Sequence, residues 1–362
     1  AEVFRYVDVP YDQFWRLSKS DQAEMVWDQL FVRHSPVSEA CRGVITTLNL
    51  LGLDVRRRDL SSLRRWFREQ KVDRYVGKVL RAAGVRKVCM TNSPFDDEER
   101  PVWEKGFHRD PRFEAALRVD PLLTDWLSAA RHLSKWGYPC QRRISGRTAD
   151  SVKRFLAAWA KRIEARYLMV SLPPSFTYPA TDDCGQLIEK AVLPFCRESG
   201  LAFALMLGVQ RAVNPALRLA GDGVGRSDLK ALANLCAGNP DNRFLVTVLS
   251  RENQHELCVL ARKFRNLHIF GCWWFTNVPQ IIDEMTRMRL ELVGLSCTPQ
   301  HSDARVLDQV IYKWTHFRAI LSQALGDKYC DLAAVGWPVT RPAIQRDVEQ
   351  LVGGGFEEFL RQ

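Results

Sequence analysis

The chain has 362 residues, 46% of them hydrophobic and 26% charged, which suits one large globular domain or two smaller ones and excludes a disordered chain. No apolar run approaches the roughly 20 residues of a membrane helix, so a soluble protein with no membrane partner is expected. The formal charge of +10 raises the question of nucleic acid, but Arg56-Arg57-Arg58 and Arg64-Arg65 share a segment with Leu60, Leu63, Trp66 and Phe67 at helical spacing, the pattern of a solvated outer helix face, and no nucleic-acid motif accompanies them.

Residues 1–80 read as helical. Trp15, Leu17, Met25, Val26 and Leu30, then Val44, Leu48 and Leu51, recur near every third or fourth position with no strand-like alternation. This predicts a helical cap or insertion, followed by a second unit over residues 81–362. Ten cysteines are scattered without a C-x-x-C pair, several inside apolar runs such as Val88-Cys89-Met90. That usage fits reduced thiols in a cytoplasmic protein.

From Arg86 onward the rhythm changes. Short apolar runs occur at Val88–Met90, Phe113–Val119, Tyr167–Leu172, Leu201–Leu207, Phe244–Leu249, Leu267–Phe270 and Leu292–Ser296, each closed by Pro, Gly, Asn or Ser. Between them lie amphipathic helices, with stripes at Val152, Phe155, Leu156, Trp159 and Ile163; at Leu257, Leu260, Ala261 and Phe264; at Ile281, Ile282, Met285 and Met288; and at Leu307, Val310, Ile311, Trp314 and Leu321.

Such alternation demands a parallel sheet with helices outside it. An open dinucleotide-binding sheet is disfavoured, because no G-x-G-x-x-G follows the first strand and Gly221-Asp222-Gly223-Val224-Gly225 falls in a later loop. The remaining architecture is a (β/α) barrel of the TIM type. Seven strands are counted where eight are needed, and the first is expected upstream of Ala1.

In a barrel, polar residues directly after the strands carry the chemistry. Here they are Thr91 to Pro94, Arg118-Val119-Asp120, Ser171, Arg211 with Asn214, Ser250-Arg251, Trp273-Trp274-Phe275, and His301-Ser302-Asp303-Ala304-Arg305. Arginine forks suit a carboxylate and a Trp pair suits the flat face of a sugar. Asp303 is an ionised oxygen donor fit to bind a divalent cation or to act as a general base. No G-x-S-x-G is present, so a serine nucleophile finds no support.

These residues carry a resemblance to the uronate isomerase (glucuronate isomerase) family of the amidohydrolase superfamily, strongest between Leu201 and Leu321. It rests on Gly208, Arg211 and Asn214 as G-x-x-R-x-x-N, on Phe270-Gly271-Cys272-Trp273-Trp274-Phe275, and on Ser302-Asp303-Ala304-Arg305 followed by Trp314-Thr315-His316-Phe317-Arg318. The resemblance implies an amidohydrolase-type barrel that interconverts aldose and ketose forms of hexuronates, D-glucuronate to D-fructuronate among them, through an enediol and with one divalent metal ion, zinc.

It implies Asp303 as metal ligand and acid/base group, with Arg305 beside it as the second catalytic residue. Arg118, Arg211, Asn214, Trp273 and Trp274 would bind substrate. The partner is a small-molecule sugar acid, with self-association common in the family. Departures mark a divergent member: the family's His-x-His pair is absent, its Asp-His is replaced by Leu172-Pro173, its fifth-strand histidine by Met206, and its His-Trp-x-His by Cys41-Arg42-Gly43-Val44. Two alternatives stay open on these residues, a metal-assisted hydrolysis or decarboxylation and a non-catalytic sugar-acid-binding barrel.

Overall fold

The computed structural model describes residues Ala1 to Gln362. Its strands are β1 (Val88–Asn92), β2 (Phe113–Arg118), β3 (Ala165–Leu172), β4 (Ala202–Leu207), the two-residue β5 (Val209–Gln210) and β6 (Gly223–Val224), β7 (Phe244–Val248) and β8 (Leu267–Ile269). Six of them pair in the order β1-β2-β3-β4-β7-β8, every neighbour parallel. Beyond β8 a parallel bridge from Phe270 to Thr298 extends the curve, so the strand positions fit a (β/α) barrel one strand short.

The strands are apolar on both faces because both faces are covered. All six residues of β4 are buried. Along β2, β3 and β4, Ala116, Tyr167, Met169, Ala202, Ala204 and Met206 point into the barrel, while Leu117, Leu168, Val170, Phe203 and Leu205 point out against the helices. This is the two-residue alternation of a strand.

The outer helices form where the stripes predict. Ser145 accepts the Thr148 N–H to start Gly146–Ile163, and Val152, Phe155, Leu156, Trp159 and Ile163 are its buried face. Helix Gln309–Ala334 buries Val310, Ile311, Phe317 and Leu321. At the barrel's far end the helix Gly355–Arg361 inserts Phe359 into the inner cluster.

Residues before Ala83 contain helices and no strand. Ser18, Ser38 and Asp59 cap three of them, and Val3, Phe14, Trp27, Leu30, Phe31, Leu48 and Leu63 pack in a cluster of their own. Leu51, Val79 and Ala83 then meet Val310 and Ile311 on the barrel. No helix of the chain is long and apolar enough to cross a membrane.

One expected strand is wrong. Helix Pro279–Val293 runs through Leu292 and stops at Gly294, so Leu292 and Val293 end a helix and Gly294 to Ser296 turn out of it. The strand position belongs to the following residues, where only Thr298 pairs. A short apolar run does not reveal which period it continues. The glycine-rich turn also holds more order than expected, since Gly223 and Val224 pair with Gln210 and Val209.

Candidate active site

Asp303 stands in the loop after the bridge at Thr298, at the C-terminal rim of the barrel. Its Oδ2 accepts the Trp274 backbone N–H at 2.9 Å. Although the residue keeps contact with solvent, burial of its carboxyl raises the pKa to about 6; the Trp274 N–H, Lys313, Arg305 and Arg118 pull the other way. No cation lies within salt-bridge distance of it, unlike Asp120 and Asp222. The result is a carboxylate near half-protonation at neutral-to-acid pH, as a proton-transfer group requires.

Arg305 places its guanidinium over the Trp274 ring, 5.6 Å from the centroid, and its backbone N–H donates to Gln309 Oε1 at 2.7 Å. Trp274 in turn stacks on Phe275 at 4.8 Å and 13°. Trp273 points inward and is buried in the inner core. The flat face open at the rim is therefore Trp274 with Phe275, not the two tryptophans.

Arg118 is at the end of β2, engaged in a two-point pair with Asp120 at 2.8 and 2.9 Å, with Ser171 Oγ at 3.4 Å. Burial weakens the charge of Arg118, but Asp120 and Asp303 more than offset it and its pKa is raised. Asp120 also accepts the Ser171 N–H, which locks the ends of β2 and β3 together.

Arg211 pairs with Asp222 across the loop that holds β5 and β6. Despite burial, Asp222 is held below the usual carboxylate range by the Ala212 N–H, Arg211 and Arg305, so this loop reaches the same rim. Asn214 caps the turn Pro215–Gly221 by accepting the Ala216 N–H and approaches Tyr11 Oη at 3.5 Å. Its amide is spent on the loop and on the helical segment. Arg251, in the turn after β7, pairs with Glu284.

His301 adjoins the site in sequence but turns its ring against Phe270, 5.4 Å between centroids. Burial, then repulsion from Arg289, lowers its pKa to about 4. The ring is neutral and its Nε2 has no hydrogen-bond partner. Gly271, at φ +72°, is what admits it: a Cβ there would sit 1.8 Å from His301 Cδ2. His316 meets Thr46 Oγ1 at 3.2 Å, a contact between the long helix and the helical segment.

Three residues at this end escaped the sequence reading. Asn277, buried, donates to the carbonyls of His301 and Ser302. Lys313 donates to the Asn277 carbonyl at 2.9 Å and to Glu39 Oε1 at 2.6 Å. The signal for Lys313 was present: it is a lone charge in the apolar stripe of Val310, Ile311, Trp314 and Phe317. Glu39 and Asn277 offered none.

A divalent ion is poorly provided for. No group of three or more His, Cys, Asp or Glu side chains stands together anywhere in the chain. Asp303 is a single donor where a zinc site takes three or four from the protein, so the residues present do not make that site.

A parallel barrel with a carboxylate, arginines and an aromatic face on its C-terminal rim defines a (β/α)-barrel enzyme acting on a small anionic substrate. No family model and no curated protein matches the chain. Among solved structures, a uronate isomerase from Bacillus halodurans C-125 is 49% identical over 100% of this chain and 86% of its own, with a TM-score of 0.98. This chain belongs to the uronate isomerase family. A uronate isomerase from Thermotoga maritima shares the fold at 13% identity and TM-score 0.74, over 95% of this chain and 83% of its own. So does a glucuronate isomerase from Caulobacter crescentus, at 14% and 0.60 over 77% and 66%.

Proposed function

We propose that this protein is a sugar-acid isomerase that interconverts the aldose and ketose forms of a hexuronate, of the D-glucuronate to D-fructuronate type. The 49% identity to a uronate isomerase over the whole chain carries the proposal, and Asp303 gives it a chemistry. Moving a carbonyl between neighbouring carbons requires a proton to leave one carbon and arrive at the other. One carboxyl with a pKa of about 6 can take that proton and return it.

Arg305 and Arg118 flank that carboxyl closely enough to affect its charge. They are the groups we assign to the substrate carboxylate and hydroxyls, since a guanidinium fork matches a carboxylate. The Trp274 face receives the sugar ring. Arg211, tied to Asp222, and Asn214, tied to its own turn, are assigned a supporting place in the loop beside the rim. Trp273 supports Trp274 from the core.

Zinc, which the resemblance implies, finds one donor here in Asp303. We further propose a helical cap of residues 1–80 over a barrel of residues 81–362. The substrate is the only partner proposed, with neither nucleic acid nor membrane, and homo-oligomers are the proposed assembly. A cytoplasmic site suits ten free thiols.

Incubating the full-length protein with D-glucuronate or D-galacturonate and measuring ketouronate tests the function. The expected result is ketouronate formation that needs Asp303; absence of turnover on both sugars overturns it.

A further inference from the structure

The buried pair of Lys313 and Glu39 joins two units. Lys313 is in the second turn of helix Gln309–Ala334 and Glu39 in helix Glu39–Leu50 of the helical segment. Their side chains are 10% and 19% exposed. A buried ion pair is a weak source of stability, because desolvation cancels most of the attraction. A pair placed here therefore asks for another reason.

The reason lies in what else the ammonium holds. Lys313 Nζ also donates to the Asn277 carbonyl at 2.9 Å. Asn277 is 1% exposed and every side-chain polar atom is used. Its Nδ2 donates to the carbonyls of His301 and Ser302, both at 3.2 Å, and its Oδ1 accepts from Gln300 Nε2 at 3.1 Å. Three consecutive residues just before Asp303 are thus clamped by one side chain. From the other side, the Trp274 N–H holds Asp303 Oδ2.

We infer that Lys313 is a positioning residue for Asp303: anchored by Glu39, its ammonium fixes Asn277, and Asn277 holds the backbone from which Asp303 projects. The helical segment thereby helps to build the rim it packs beside. The consequence for turnover rests on the isomerase reading, but the positioning itself does not. Backbone held this way opens rarely, and misplacing a catalytic group by 1 Å costs up to about a hundredfold in rate.

The test is amide hydrogen exchange, read by mass spectrometry on the full-length protein, with turnover measured alongside. In Lys313→Met, which fills the space but removes the charge and donors, exchange of the Gln300 to Arg305 amides should rise about tenfold or more. Exchange of the β4 core, Phe203 to Leu207, should stay within about twofold of wild type. Uronate turnover should fall in kcat by about tenfold or more with KM within about threefold. Lys313→Arg, which keeps a charge and donors, should lie nearer wild type than Lys313→Met on both measures.

Unchanged exchange at 300–305 in folded Lys313→Met overturns the inference, as does unchanged kcat. If Lys313→Met does not fold, Glu39→Gln decides: a rise confined to the same amides supports the inference and no change overturns it. A wild-type protein without uronate turnover sinks the proposed function instead, and the exchange result still stands.

Discussion

Trp274 and Asp303 are joined by a 2.9 Å hydrogen bond from the Trp274 amide to the Asp303 carboxylate, and both hold left-handed backbone, at φ 45° and 47°. Non-glycine residues in that region cost about 1–3 kcal/mol each, and such strain gathers at functional sites. Here it aims a carboxylate and an indole at the same rim. Asn277 touches both sides of this bond: its backbone N–H donates to the Trp274 carbonyl at 2.9 Å, and its side chain holds the carbonyls of His301 and Ser302 just before Asp303.

Asp303→Asn keeps the shape and removes the proton acceptor. Turnover of D-glucuronate should fall by about 10²–10⁴-fold, with the far-ultraviolet circular dichroism of wild type. A variant retaining kcat within about threefold would remove Asp303 from the chemistry.

Arg305 and Arg251 both follow barrel strands, but only Arg305 reaches Trp274, while Arg251 is spent on Glu284. Arg305→Met should lower kcat/KM by at least about tenfold, as loss of a charged contact does. Arg251→Met should leave it within about twofold. Steady-state kinetics on both variants separate the two outcomes.

The raised pKa of Asp303 sets two pH dependences. Its carboxyl titrates near 6 in the folded chain, against a usual value of 3.8, so the folded state binds the proton more tightly than the unfolded one. Its contribution to stability is then complete below the lower value and is lost as pH rises through the window up to about 6. Asp303→Asn should therefore melt higher than wild type above that window, with the difference shrinking below it. In wild type, kcat/KM should climb with pH through about 6 as the base form appears. A pH-independent difference in melting would contradict the titration.

Gly271 is required by His301. Gly271→Ala adds a methyl 1.8 Å from the ring at φ +72°, combining backbone strain with overpacking, and should cost about 3 kcal/mol in urea unfolding. Gly137→Ala is the control, since Gly137 has φ +85° with nothing within 4 Å. It carries strain alone and should cost about 1 kcal/mol.

The protein, dialysed after exposure to zinc, should retain well under about 0.2 equivalents, because one carboxylate does not hold the ion. Elemental analysis gives the number. A full equivalent would mean that ligands assemble that the structure does not bring together.

The sequence by itself determined the barrel and the end of it that matters. Strand and helix periods differ, and both faces of β3, β4 and β7 must be apolar when helices cover one and the barrel interior fills the other. It also placed Asp303, Arg305 and Trp274 after their strands, since strand ends define the rim. What it misassigned was local: Leu292–Ser296 has the apolar content of a strand, yet its first two residues end a helix and the rest form the turn that leaves it.

Only the tertiary structure decided which polar residues are free. Arg211, Arg251 and Arg305 look alike along the chain, yet Arg211 and Arg251 each meet a carboxylate, in Asp222 and Glu284, and Arg305 meets the Trp274 ring instead. Glu39 and Lys313 are 274 positions apart and share one hydrogen bond. Such partnerships depend on distances between elements that no residue spacing encodes. The Asp303 carboxylate differs from those of Asp120 and Asp222 because each of those meets an arginine, whereas Asp303 is held by the Trp274 N–H with no cation in contact.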